Sequence, residues 1–282
     1  MNAVEYYKNI EVQFEMIKVL SGRETVFSGE REGINGISRV TFRCIKAHKI
    51  EFLQKNMKAF NFFNGYNKQN IYYSLARLNN MPVFSFNMDE RKLQQKEFMQ
   101  NFEKYMTGFD YGLDFDAHRV DASTNIVEHI LIQNLLSDLK IVRDELSFYK
   151  VPFYVKSSGS GFHINIDSEY FDAIRLKNKI EAFGKISKNL RSVLNLTSVC
   201  DSSNTYNKRD IWKCPYSYDY KSGNIALPLS DEQIDNFDYS MLEPSKVLKD
   251  GIRNRGLLKH AGSSSGLKRF LLDYGLKESD FE

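Results

Sequence analysis

The stretch from Asn125 to Tyr149 is what most limits the folds open to this chain. Ile126, Ile130, Leu131, Leu135, Leu139 and Val142 recur along one helical face, so the spacing predicts a long amphipathic helix. Short strand-like runs flank it, with Tyr111-Gly112-Leu113-Asp114-Phe115-Asp116 before and Phe153-Tyr154-Val155 after. A further run, Phe162-His163-Ile164-Asn165-Ile166, follows closely. A strand, one long helix and then a strand pair call for a helix packed on a sheet, a mixed α/β (α+β) architecture.

The rest of the chain extends that reading. Residues 4 to 20 carry apolar positions at helical spacing and stop near Ser21-Gly22. Thr25-Val26-Phe27 and Val40-Thr41-Phe42 read as short strands around Gly33 and Gly36. A helix over 46–59 and a strand over 71–75 complete an N-terminal lobe, and a charged, Gln-rich helical segment over 88–105 bridges to Asp114. A helix over 171–193 leads to a strand bearing Asp201, and Ala261-Gly262-Ser263-Ser264-Ser265-Gly266 reads as a flexible linker before a terminal helix over 267–274. At 282 residues and 42% hydrophobic, the chain can bury a core as one large domain or two lobes.

Three segments carry chemistry. Side chains alternate along a strand, so Asp114 and Asp116 project from one face while Leu113 and Phe115 take the other. An isolated Asp-x-Asp also fits a solvated strand edge. Paired carboxylates are tolerable around divalent cations, whose preferred ligands are hard oxygens, and Asp201 would be a third. The Ser157-Ser158-Gly159-Ser160-Gly161 loop joins two strands. Its glycines would let backbone N–H groups approach a phosphate, and Ser157, Ser158 and Ser160 add hydroxyl donors. The alternative is a plain hairpin with a hydrogen-bonded structural histidine. His163 faces away from Phe162 and Ile164, where it can donate to a triphosphate oxygen or pass a proton to a leaving group.

Net charge is only +3 and argues little about nucleic acid. Its distribution says more: Lys246, Lys249, Arg253, Arg255, Lys259, Lys268 and Arg269 face a single acid, Asp250, between residues 246 and 269. Such a stripe can follow a phosphate backbone or be a solvated helix face. Cys44, Cys200 and Cys214 are too few and scattered for a Cys-rich zinc site, so they read as reduced structural thiols and no structural zinc is expected. No apolar run is long enough to span a membrane, and the first residues lack a basic stretch followed by an apolar one. The expectation is a soluble, cytoplasmic protein with no membrane partner.

The order hydrophobic-Asp-x-Asp, Ser-Gly-x-Gly-x-His and hydrophobic-Asp resembles the archaeo-eukaryotic primase superfamily, most closely the catalytic small subunit of archaeal and eukaryotic primases. After Asp201, the residues Lys213, Pro215, Tyr216, Ser217, Lys221, Ser222 and Gly223 match that branch, with Asp219 where it usually has histidine. Tyr6-Tyr7, Gly22-Arg23-Glu24-Thr25-Val26-Phe27 and Ile71-Tyr72-Tyr73-Ser74 extend the likeness over roughly residues 6 to 230. No Cys/His knuckle lies between the first and second motifs, and Gly159 and Ser160 stand where many relatives carry basic residues.

The resemblance implies a primase-polymerase fold: an N-terminal αβ lobe over 1–104, an RRM-like catalytic lobe with a mixed or antiparallel sheet over 105–235, and a basic helical segment and tail over 236–282. It implies Asp114, Asp116 and Asp201 holding two Mg²⁺ or Mn²⁺ ions, with Ser157, Ser158, Gly159, Ser160, Gly161 and His163 around the triphosphate. Arg209 and Lys213 are candidates for further phosphate contacts, and Arg23 for one from the N-terminal lobe. The implied activity is two-metal synthesis of short RNA or DNA primers from NTPs or dNTPs on single-stranded DNA, at the nucleoid or another intracellular replication site. A primase large subunit or a replicative helicase is a candidate partner, with the last helix as its docking point. A primer-dependent polymerase of the same superfamily for end joining or damage bypass, a noncatalytic DNA- or nucleotide-binding relative and a metal-dependent nuclease are the alternatives.

Overall fold

A computed structural model of the chain describes residues 1–33, 36–59, 67–116, 125–198, 210–252 and 259–282. The strands are β1 (Arg23–Gly33), β2 (Gly36–Lys46), β3 (Asn67–Leu78), β4 (Met106–Phe109), β5 (Tyr111–Phe115), β6 (Tyr154–Ser157), β7 (Phe162–Ile166), β8 (Ile211–Lys213) and β9 (Pro228–Leu229). The helices are α1 (Ala3–Tyr7), α2 (Ile10–Leu20), α3 (Ile50–Ala59), α4 (Met88–Gln100), α5 (Phe102–Tyr105), α6 (Asn125–Phe148), α7 (Ser168–Ala173), α8 (Lys179–Val193), α9 (Asp231–Asp235), α10 (Pro244–Lys249) and α11 (Ser264–Asp273). They fall into two compact units, one of Met1–Gly108, Arg209–Leu227 and Tyr239–Gly256, the other of Phe109–Lys208, Pro228–Asp238 and Leu257–Glu282.

The first unit is built on a sheet of order β2-β1-β3-β4, with β8 added antiparallel to β3 through Ser74↔Ile211 and Tyr72↔Lys213. β1 and β2 form an eleven-by-eleven-residue hairpin, far longer than the two apolar triplets suggest. Beyond Phe27 the β1 sequence is polar, yet the antiparallel pairing continues from Ser28↔Thr41 to Gly33↔Gly36. The helix expected over 4–20 breaks at Lys8 and Asn9. Asn9 Oδ1 accepts the N–H groups of Glu11 at 2.9 Å and Val12 at 3.3 Å, so it starts a second helix.

The second unit holds the sheet β5-β7-β6-β9. On α6, Leu135, Leu139, Val142 and Leu146 are buried, continuing the expected stripe. Phe183 of α8 packs against Tyr111 of β5 at 5.1 Å and Phe171 of α7 at 4.7 Å between ring centroids. The single helix expected over 171–193 is two, because Arg175 and Asn178 sit at φ 51° and 41° and Leu176 makes a β-bridge to Phe281. The Ser/Gly run before the last helix is no linker. Ser263 Oγ caps α11 by accepting from Gly266 N at 3.0 Å, and a Cβ on Gly262 or Gly266 would lie 2.3 Å from Pro152 N or 2.2 Å from Tyr149 O. These glycines permit close backbone packing after α6.

Candidate functional site

The antiparallel register sets Asp114 of β5 opposite His163 of β7, and His163 opposite Lys156 of β6. Period-two alternation therefore lines the three side chains up as one row on one face, while Leu113, Ile164 and Val155 form the buried row behind. His163 Nε2 lies 3.2 Å from Asp114 Oδ1. Its other ring nitrogen, Nδ1, is hydrogen-bonded to Lys156 Nζ. Lys156 is fully buried, His163 is nearly so, and the Asp114 side chain is 43% exposed at the open end of the row.

Asp116 follows directly after β5 and is exposed. Two accessible carboxylates spaced i, i+2 are a hard-oxygen donor set, which fits a divalent cation whose remaining positions are filled by water or phosphate oxygens. Asp201 and Arg209 lie outside the described residues, as do Cys200, Arg253 and Arg255. Among the described residues no group of three or more potential ligating side chains converges.

The Ser/Gly segment is a tight turn. Ser158 N donates to Gly161 O at 2.8 Å, and Gly161 N donates to Ser158 Oγ at 3.0 Å. Gly159 takes φ 99°, which favours glycine. A Cβ at Gly161 would stand 2.3 Å from the Phe115 carbonyl oxygen, so glycine here lets the turn lie against the end of the aspartate strand. Ser157 pairs with Phe162 and is buried, in the alternate position from Lys156 and His163. Ser160, at the tip, is exposed.

Arg23 and Lys213 belong to the first unit. The Arg23 guanidinium is buried, with Nη1 donating to the carbonyls of Ser74 at 3.0 Å and Leu75 at 3.2 Å, and it lies over the Tyr73 ring. Lys213 forms an ion pair with buried Asp219. Ser217 Oγ accepts from Ile71 N at 2.9 Å and meets Tyr7 Oη at 3.0 Å. Burial drives the Tyr7 hydroxyl far above the usual tyrosine range, so it stays protonated. The matched Pro-aromatic-Ser element and the N-terminal tyrosine are thus joined inside this unit.

Several cations of the expected basic stripe are engaged: Lys259 with Asp167, Lys268 with Glu278 at 2.7 Å and Arg269 with Asp273 at 3.9 Å. Cys214 is a buried free thiol. No helix of the described residues is long and apolar enough to cross a membrane.

Two residues on the face that carries Asp114 and His163 escaped the motif reading. Lys156 could have been found by counting back through the hairpin, since a turn closed at 158 and 161 pairs 157 with 162 and 156 with 163. Asn165, two positions past His163, is fully buried with neither amide atom hydrogen-bonded. A lone asparagine in an apolar strand carries that signal only weakly.

No protein-family model matches the chain, and no curated protein does. Among solved structures it is similar to the polymerase domain of Ligase D from Mycobacterium tuberculosis in complex with DNA, with 15% identity and a TM-score of 0.52. The match covers 96% of this chain and 91% of that one. The likeness is one of architecture: the chain has a mixed α/β fold like that of this polymerase domain.

Proposed function

We propose that the chain is a DNA-dependent nucleotidyltransferase, a primase-polymerase that makes short RNA or DNA primers on single-stranded DNA. The observation that carries this reading is the cross-strand pair Asp114 and His163, 3.2 Å apart beside a Ser/Gly turn, on the sheet of a primase-polymerase fold. Asp114 and Asp116, with Asp201, would hold two Mg²⁺ or Mn²⁺ ions, which when bound lower the pKa of an attacking 3′-hydroxyl and offset triphosphate charge. His163 would donate from Nε2 to a triphosphate oxygen, and Ser158, Gly159, Ser160 and Gly161 would border the same phosphates. Arg209 is a further phosphate contact in this proposal. Lys213, ion-paired with Asp219, and Arg23, hydrogen-bonded to the Ser74 carbonyl, are further candidate phosphate contacts in the same proposal.

That the Ligase D polymerase domain was solved with DNA supports DNA as the ligand here. Its being part of a ligase favours one second reading, a primer-dependent polymerase. Incubating the protein with single-stranded DNA, Mg²⁺ or Mn²⁺ and either NTPs or dNTPs, with and without a primer, separates the two. Primer-free products that vanish in Asp114→Ala/Asp116→Ala are expected. Extension only from a primer would establish the second reading, and DNA binding without synthesis would refute both.

A further inference from the structure

We infer that Lys156 is a positioning residue that fixes the His163 ring with its proton on Nε2, aimed at Asp114 and at any anion bound beside it. The inference rests on the proposed nucleotidyl-transfer site and extends it by a residue that no motif contains. Lys156 is fully buried, with a relative exposure of 0%, on a strand whose other residues, Tyr154, Val155 and Ser157, are buried as well. A buried lysine needs a partner for its charge. One partner is His163 Nδ1, reached directly across the β6–β7 pairing.

An ammonium has three donors and no acceptor, so Nδ1 must accept. A neutral imidazole that accepts at Nδ1 carries its hydrogen at Nε2, and Nε2 faces Asp114 Oδ1 at 3.2 Å. The row then runs donor to acceptor throughout: Lys156 ammonium to Nδ1, Nε2–H to carboxylate. Without Lys156 the ring would be free to take the other tautomer, which presents a lone pair toward Asp114 and repels a phosphate oxygen. A cation behind the ring also strengthens Nε2–H as a donor, while burial keeps water from competing for Nδ1.

The experiment uses the full chain labelled with ¹⁵N-histidine, at a pH where the rings are neutral. Long-range ¹H–¹⁵N correlations identify the tautomer of each of the five histidines, and His163→Gln assigns the relevant signals. The wild type should show His163 as the Nε2–H tautomer. Lys156→Met, which keeps the stem and removes the donor, should shift the ring toward Nδ1–H, and Lys156→Arg should restore Nε2–H. In the synthesis assay, Lys156→Met should raise the nucleotide KM about tenfold with a smaller change in kcat, the weight of one charge-assisted hydrogen bond, with recovery in Lys156→Arg.

An Nδ1–H tautomer in the wild type would overturn the inference even if Lys156→Met does not fold. An unchanged tautomer in folded Lys156→Met would overturn it too. The expected tautomers without synthesis in the wild type would support the positioning role and instead refute the proposed reaction.

Discussion

Asn165 presents the sharpest conflict between stability and a role in the site. It shares a face of β7 with His163, stands opposite Gly112, and neither its Nδ2 nor its Oδ1 has a hydrogen-bond partner. Leaving a buried amide unmet costs about 1–3 kcal/mol, so Asn165→Leu, close in size and apolar, should raise the thermal midpoint. The same substitution should weaken nucleotide use if the amide serves a ligand on the Asp114 face. A lower midpoint would show that the amide is already satisfied, for instance by buried water. Gly161 makes the opposite argument. Its backbone is so near Phe115 O that Gly161→Ala, with a Cβ 2.3 Å from that oxygen, forces the turn off the aspartate strand. Overpacking of this kind costs about 1–3 kcal/mol, and urea unfolding should show a lower midpoint with an unchanged slope.

At the scale of elements, short local signals specified segments better than they specified where segments stop. Asn9 is a helix cap that reads equally well as one polar residue inside an amphipathic run, so α1 and α2 merge in a periodicity argument. The β1–β2 pairing runs on through a stretch where β1 is polar, which no apolar count reveals. The segment entering α11 adds a titrating element. His260 stacks on Phe153 with centroids 4.0 Å apart and planes 9° from parallel, and its Nε2 lies 3.5 Å from Asp231. Burial pulls its pKa below the usual histidine value, Asp231 opposes that shift, and Arg143 adds to it. Between the folded and unfolded values the unfolded chain binds more protons, so stability is complete above pH of about 6.5 and declines as pH falls toward the folded value. His260→Phe retains the stack and loses the titration. Denaturation at pH about 7.5 and about 5.5 should therefore show a smaller drop in the variant than in the wild type, and equal drops would exclude His260 as a source.

For the whole molecule, the legible part of the site was the part encoded within a few residues. Asp114, Asp116, His163 and the turn between β6 and β7 follow from period two and a Ser/Gly break, and the structure sets Asp114 beside His163. Long-range pairings such as Ser74 with Ile211, which draw distant segments into one unit, have no local signature. The last helix shows the same limit. From sequence it is a short amphipathic piece behind a linker and a convenient docking point, yet its apolar face is already used. Leu267, Phe270, Leu271 and Tyr274 are buried, and Phe270 meets Tyr149 at the end of α6 with ring centroids 5.6 Å apart. Burying each large apolar side chain contributes about 1.5–3 kcal/mol, so losing four removes an amount comparable to the roughly 5–15 kcal/mol that holds a domain folded. Deleting residues 264–282 should therefore abolish cooperative unfolding of the second unit and open α6 and β6 to limited proteolysis. A deletion product that melts cooperatively at the wild-type midpoint would show that α11 is peripheral, and would return its apolar face to the surfaces available to a partner.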